Sequence, residues 1–468
     1  MLNKLNRWLL TLFLSFGLLT AASANLDLKV PDLSEIGGRT SHQAGYQNQL
    51  SLKVLRQFRN HRSVVEDPEL SSWLRGIGNR LVSQSGYRGN VYFLLANNSE
   101  VNAFATMGGV IVINTGLILH ADSESELAAV IAHEIAHVSQ KHLDRLVANS
   151  KGSVLGTSAA VLAGILAGTQ DSQAGSAIIA TALAAQQHRQ LDYSRSMESE
   201  ADSVGIRTLA RAGFKASGMP LFMEKLDRLS NGRYAQLSKF LQSHPLSIER
   251  VGNTRAWANQ LGNSGRDGAD FAFIKEKVRS LTARGGQKVQ FSELSNQQVK
   301  NYAQALQLTK MGQYLRAQTL LKQSGNQKTV KLALAESYSK QSNYTEAAKI
   351  LQALHAKHYG EEAVLIPLVD NLLVAGQRQK AWNTVKGVVA SEQTSLGFYE
   401  VKQEAARAVG LTGEAYLAAA DRNIRLAEYQ HAKTQLRAAQ RIPNISGGVR
   451  ARIDAKLKHI DGVDKPKQ

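Results

Sequence analysis

Apolar and polar positions along the chain fall into distinct regimes. Trp8 to Leu19 (WLLTLFLSFGLL) is a compact apolar run, preceded by Lys4 and Arg7 and followed by Ala22-Ser23-Ala24. This three-part layout predicts a cleavable export signal over residues 1–24. At 12 residues the run is short for a spanning helix, which needs about 20. Residues 25–45 show no clear period and read as a loose arm. Helical spacing runs from 46 to 86, with Asp67-Pro68 opening a helix through Trp73, Ile77 and Leu81. Val91–Leu95, Val101–Thr106 and Val110–Asn114 read as short strands of one small sheet. Ser123, with Glu126 three residues on, caps a helix that continues through Leu127, Val130, Ile131, Ile135 and Val138. Residues 152–187 contain one charge, Asp171. Their two apolar halves are each too short to span a membrane. They suit either a pair of packed Ala/Gly helices or a surface that rests on a membrane or covers a cleft. A further helix at about 190–211 carries Glu198 and Asp202, and helical patterning continues to about 262. The polar, Gly-rich stretch 263–290 reads as the main linker.

Beyond the linker the pattern repeats. A small residue followed five positions later by Ala recurs at Gly312 and Ala317, Ser342 and Ala347, Gly376 and Ala381, and Gly410 and Ala415. The Ala spacings are 30, 34 and 34, and Tyr314 and Tyr344 each precede their Ala by three. Ala427 and Ala432 echo the pair once more. A period near 34 with small residues punctuating helix pairs is the tetratricopeptide signature, with a generic helical bundle as the alternative. Stacked helix pairs form a concave surface suited to extended peptides or protein partners.

Composition sharpens this picture. The 468 residues exceed one ordinary core and imply two or three domains. Seven Pro, 6% aromatic and 43% hydrophobic residues fit packed Ala- and Leu-rich helices. With no Cys, disulfides, thiol nucleophiles and Cys-based zinc ribbons are excluded, and any metal must be held by His, Asp or Glu. The net charge of +18 is dispersed and reads as a solvated basic surface rather than a nucleic-acid footprint.

The chemistry is concentrated in His133-Glu134-Ile135-Ala136-His137. Two His four apart share a helical face and can aim at one ion from a rigid element. The flanking Glu134 is placed to take a proton from an activated water. A catalytic zinc usually takes three protein ligands and keeps one position open. Glu198 is the candidate third ligand. Asp202, one turn on, either hydrogen-bonds a ligand His or donates a proton in the cleft, while Glu200 points away. His244, beside Pro245, could orient substrate, occupy the open metal position, or be satisfied by its loop.

Together, His133–His137, Glu198…Asp202, Asn102-Ala103-Phe104-Ala105, Asn114-Thr115-Gly116-Leu117 and His244-Pro245…Arg250 resemble gluzincin peptidases related to the CAAX prenyl protease. With an export signal ahead and repeats behind, the chain is similar to the β-barrel assembly-enhancing group of Gram-negative periplasms. The resemblance implies one Zn²⁺ bound by His133, His137 and Glu198, with Glu134 as catalytic base and Asp202 as proton donor. His244 would be a regulatory fourth contact. It further implies that strand Val101–Thr106 is the edge that pairs with substrate and that residues 152–187 lie over or beside the cleft. The expected fold is mainly α: a zinc metallopeptidase domain with a small sheet over 25–262, then an α-solenoid of tetratricopeptide repeats over 291–468. The implied role is proteolysis of misassembled outer-membrane β-barrel proteins in the periplasm and assistance to their assembly. The repeats would dock on the barrel-assembly machinery, with peripheral membrane contact and no nucleic acid. The alternative is a chaperone or assembly adaptor whose zinc site is normally self-inhibited. Some relatives carry a C-terminal cysteine pair, which this chain lacks.

Overall fold

The computed structural model describes residues 64–149, 187–230, 238–283 and 294–463, except positions 107, 263, 427 and 444, together with helical positions 51, 52, 54, 55 and 58. The expected export signal, the arm at 25–45 and residues 152–186 lie outside the described residues.

The first helix, α1 (Pro68–Val82), begins where Asp67 accepts the Leu70 N–H at 2.9 Å and Pro68 occupies the first turn. Pro costs nothing there, because that N–H has no partner inside the helix. Three strands follow: β1 (Tyr92–Ala96), β2 (Ala103–Ala105) and β3 (Val110–Asn114). β3 lies in the middle, parallel to β1 and antiparallel to β2, with Ala103 opposite Ile113 and Ala105 opposite Ile111. β2 is therefore an edge strand among the described residues. Val54, Leu55 and Phe58 pack on one sheet face against Tyr92, Val110 and Val112. The alternate residues Phe93, Ile111 and Ile113 face the main core, as the two-residue period of a strand requires.

A short helix, α2 (Thr115–His120), leads to α3 (Glu124–Ser139). Ser123 accepts from Glu126 N at 3.2 Å, while the Glu126 carboxylate reaches back to Asp122 N, one residue beyond the usual capping-box donor. Residues 124–136 of α3 are all buried, so this is the central helix of the first region. Around it lie α4 (His142–Asn149), α5 (Gln187–Arg211), α6 (Gly218–Ser230), α7 (Ser238–Ser243) and α8 (Ile248–Leu261).

Within the stretch read as linker, the structure places a further helix, α9 (Phe271–Thr282). Its Phe271, Ile274 and Val278 join the first core, while Phe273 packs edge-on against Tyr302 of the following array, ring centroids 5.3 Å apart. Gly-rich, polar flanks concealed this helix in the sequence. Lys277 of α9 is held by Asp67 at 3.0 Å and Glu69 at 2.6 Å, which ties α9 to the start of α1.

The rest of the chain is five successive helix pairs among the described residues. They are α10 (Gln297–Lys310) with α11 (Tyr314–Lys322), α12 (Lys328–Lys340) with α13 (Tyr344–His355), and α14 (Glu362–Val374) with α15 (Arg378–Val385). α16 (Leu396–Ala408) with α17 (Thr412–Arg425) and α18 (Tyr429–Gln440) with α19 (Gly447–Val463) complete them. The repeating small residue has a definite job. Gly312, Ser342, Gly376 and Gly410 sit in the turn of successive pairs with φ of 75°, 64°, 75° and 77°, a left-handed conformation that disfavours larger side chains. The Ala five positions on (317, 347, 381, 415) is buried where the paired helices meet. The array also rests on the first region: Arg75 of α1 lies 3.7 Å from Glu362, and Gln393 donates to Val91 O at 3.1 Å. Among the described residues no helix is long and apolar enough to cross a membrane.

One carboxylate in the array is uncomfortable. Asp370 of α14 is pushed up to about 6, first by lost hydration and then by Glu404 and Glu400. A carboxyl raised from 3.8 favours folding below about pH 4 and loses that contribution as pH rises through 6. Asp370→Asn therefore raises the denaturant midpoint at pH 7.5, with the advantage vanishing below pH 4. A full shift is worth about 3 kcal/mol, and partial exposure reduces the expected gain to about 1 kcal/mol. Urea titrations at both pH values check it; an Asn variant no more stable at pH 7.5 refutes it.

Candidate metal centre

His133 and His137 lie one turn apart on α3, their Nε2 atoms 3.0 Å from each other. α5 crosses directly behind them. A Cβ on Gly205 would stand 3.2 Å from His133 N and Cα, so a larger residue there would have to push the two backbones apart by a few tenths of an ångström. Glu198, Asp202 and Gly205 are spaced i, i+4 and i+7 and share the face of α5 turned to α3. Glu198 thus reaches both imidazoles, its two carboxylate oxygens each 3.3 Å from an Nε2. His244, on the turn after α7, brings Nδ1 to 3.1 Å from Glu198 Oε1 and 3.3 Å from His133 Nε2. The four donors all lie within 4.8 Å of one another. Ligands at 2.0–2.1 Å from a tetrahedral ion stand about 3.3 Å apart, so this donor set fits one small divalent metal.

Charge supports the same fit. Burial alone would lower His133, but Glu198 and Asp202 reverse this and hold it up to about 10. Burial drives His137 down to about 3. Glu198 is held far below the usual carboxylate range: burial opposes its charge, and His244 and His133 outweigh that cost. The buried carboxylates beside these imidazoles favour positive charge in the cluster, and a metal bound there would take the place of the imidazole proton.

Glu134 is 1% exposed and is not one of the four donors. Its Oε2 accepts the Ala105 N–H of β2 at 2.9 Å, and its Oε1 is 3.4 Å from His244 Nε2. Burial raises its pKa, against the lowering effect of His244 and His133. A raised carboxyl is better matched to proton transfer near neutral pH.

Asp202 stands behind the ligands. Its Oδ1 is 2.9 Å from His133 Nδ1, and Arg250 binds it through Nε at 2.7 Å and Nη2 at 2.9 Å. Burial opposes its charge, but Arg250 and His133 hold it below the ordinary Asp value. Both oxygens are engaged and the carboxyl has no proton to give, so the geometry does not suit the expected proton donor and suits the hydrogen-bonding alternative. Arg250 also lies 2.9 Å from Glu198 and donates to Pro245 O at 2.6 Å.

Sequence spacing gave no hint of His142. It opens α4 beyond a turn in which Lys141 has φ 54°, so helical periodicity does not bring it back to the site. Yet its Nδ1 is 2.8 Å from His137 Nδ1 and its Nε2 is 3.2 Å from Glu200, which also accepts from Arg145 at 2.9 Å. The tautomers follow from these partners. His142 gives its Nε2 proton to Glu200 and accepts from His137 Nδ1–H, leaving the Nε2 lone pair of His137 free for the metal.

Comparison with known proteins agrees with this geometry. The profile of peptidase family M48 matches residues 68–258, the stretch that supplies all four donors and Glu134. The chain is 28% identical over 464 residues to the beta-barrel assembly-enhancing protease of Escherichia coli K12, covering 96% of this chain and 94% of that one. It is 37% identical over 259 residues to a putative beta-barrel assembly-enhancing protease of Vibrio cholerae, covering 54% of this chain and 52% of that one. The chain is also 32% identical over 157 residues to the mitochondrial metalloendopeptidase OMA1 of Arabidopsis thaliana, 34% of this chain and 29% of that one. The chain is a metalloendopeptidase.

Proposed function

We propose that the chain is a periplasmic zinc endopeptidase that cleaves misassembled outer-membrane β-barrel proteins and assists their assembly. The observation that carries the peptidase reading is the tetrahedral set of His133, His137, Glu198 and His244 beside the buried Glu134. Two or three imidazoles with one carboxylate suit Zn²⁺ better than harder ions. The substrate class rests on the relatives' printed names, which refer to β-barrel assembly. The layout expected from the sequence, an export signal (1–24), a peptidase domain (25–262) and a tetratricopeptide domain (291–468), fits a secreted enzyme with a docking surface, with the stretch 263–290 contributing α9 to the first core rather than acting as a plain linker. The barrel-assembly machinery is the proposed partner. Peripheral contact with a lipid surface is part of the proposal, and no nucleic acid is invoked.

A metal held by His133, His137 and Glu198 would supply Lewis acidity for activating water and polarising the scissile carbonyl. The chain does the rest. An extended substrate adds to β2, an edge strand among the described residues, beside the Ala105 N–H that Glu134 holds, which sets its carbonyl near Glu134. Glu134, fixed by Ala105 N–H, takes the proton from water and passes it to the leaving amine. Asp202 holds the His133 ring, and Arg250 keeps Asp202 and Glu198 ionised.

His244 favours a second reading of the resting state. Its Nδ1 stands at the fourth vertex, where a catalytic site keeps water, and its Nε2 faces Glu134. The site is then shut until the turn at 244 moves, as a self-inhibited assembly adaptor requires. Cleavage of casein or an unfolded barrel protein by wild type, His244→Ala and Glu134→Gln separates the readings. We expect slow cleavage by wild type, at least about tenfold faster cleavage by His244→Ala, and none by Glu134→Gln. Silence of all three proteins with zinc present would defeat the peptidase reading; equal rates for wild type and His244→Ala would defeat the self-inhibited one.

A further inference from the structure

A small recess opens beside His137. It measures about 30 Å³, and its walls are Ala105 of β2, His137 and Val138 of α3, Leu143 of α4 and Tyr87 from the turn between α1 and β1. Gly108 and Gly109 close another side. Their φ of 89° and 75° is a conformation that glycine adopts without strain, and it leaves that side bare of any side chain. Tyr87 keeps its place because residue 89 is glycine: a Cβ there would collide with the phenol hydroxyl. Burial, and then Asp144, push the Tyr87 hydroxyl above its ordinary pKa, so it stays a neutral group. Leu143 is 36% exposed and forms the rim.

The sheet decides what can enter. Ala103 and Ala105 face the core built on α3, while Phe104 turns to Phe58 on the other side, ring centroids 6.4 Å apart. A chain that adds to β2 obeys the same alternation, so every second side chain turns to the face where His137 and the recess lie. His137 is both a metal donor and a wall of the recess, and a strand advances about 3.3 Å per residue. The side chain that enters therefore belongs to a residue within two of the scissile bond. A volume of about 30 Å³ holds a methyl or hydroxymethyl group and has no room for a branched or aromatic one. A larger side chain would press on Tyr87 or on His137 itself, and its cost would fall on the metal donors. We propose that this recess is the subsite that limits cleavage to sequences with glycine, alanine or serine at one fixed position within two residues of the cut, and that Leu143 and Tyr87 set the limit. This deepens the endopeptidase reading and rests on substrate pairing with β2.

The test digests a mixed library of unstructured peptides with the zinc-loaded full chain, and mass spectrometry reads each cut. Every protein is prepared with and without His244→Ala, and the faster of the two is profiled, so that a shut resting site does not limit the cuts. Among the two positions on each side of the cut, one should hold glycine, alanine or serine about tenfold above their share in the library. Leu143→Ala and Tyr87→Ala widen the recess. Each should admit valine, leucine and methionine at that same position and lower the small-residue excess at least about threefold. Tyr87→Phe keeps the ring and should keep the excess. Preferences at the other three positions should not move, which separates a subsite from a general loosening of the fold. Should Tyr87→Ala fail to fold, Leu143→Ala, on the rim, decides alone. No small-residue excess at any of the four positions, an excess that Leu143→Ala leaves intact, or a loss of preference at all four positions alike overturns the proposal. No cuts by any of the proteins would defeat the endopeptidase reading, and this one with it.

Discussion

Glu134→Gln is expected to silence proteolysis while leaving the metal in place. The carboxylate is not among the four converging donors, so its loss removes no ligand. The amide is isosteric, and its oxygen can still accept the Ala105 N–H now held at 2.9 Å. What disappears is a base of raised pKa beside the reacting water, and general-base removal costs about 10²–10⁴ in turnover. Metal analysis of the purified variant should match wild type within error, and thermal stability should hold or rise, since a buried carboxylate is replaced by a neutral group. The companion Glu198→Ala behaves differently: it loses metal and activity together, because Glu198 touches both His133 and His137. A Glu134→Gln enzyme that retains a tenth or more of wild-type turnover, or one that emerges without metal, is incompatible with this assignment.

The elements that build the site were legible because each rests on a local rule. α3 follows from its Ser123 cap and dense apolar content, and His133 and His137 follow from one turn of helix. Glu198 and Asp202 were found as a pair sharing a face of one helix. The repeat punctuation was visible as a spacing, and its cause became clear only from the backbone: left-handed turns at Gly312, Ser342, Gly376 and Gly410. What stayed hidden depends on contacts between elements. Gly205 looked ordinary, yet it sets the distance between α5 and α3. His142 reaches His137 only because the chain reverses at Lys141. α9 was lost among its Gly-rich flanks although three of its apolar side chains complete the first core. The two roles that spacing offers for Asp202 are told apart by a contact that spacing does not show, its pairing with Arg250, 48 residues on.

Arg250 carries the second large effect. Glu198 and Asp202 are 2% and 1% exposed, and Arg250 is the only guanidinium within reach of both among the described residues. Arg250→Met keeps the aliphatic bulk and removes the charge, leaving two buried carboxylates to share the imidazoles. Breaking a buried pair by deleting one partner costs about 3–5 kcal/mol. Here the loss should depend on metal. A divalent ion between His133, His137 and Glu198 supplies positive charge where Arg250 supplied it, so saturating zinc should recover part of the stability by mass action. Arg250→Lys should rescue little, because one ammonium cannot reproduce the paired Nε and Nη2 contacts to Asp202 together with Nη1 to Glu198. The carbonyl of Pro245 also loses its donor, so the turn bearing His244 is released along with the carboxylates. Denaturant unfolding with zinc and with chelator, run beside zinc competition titrations, reads both consequences. Unfolding within about 1 kcal/mol of wild type in chelator, together with unchanged zinc affinity, would mean that the carboxylates are held by something other than this arginine.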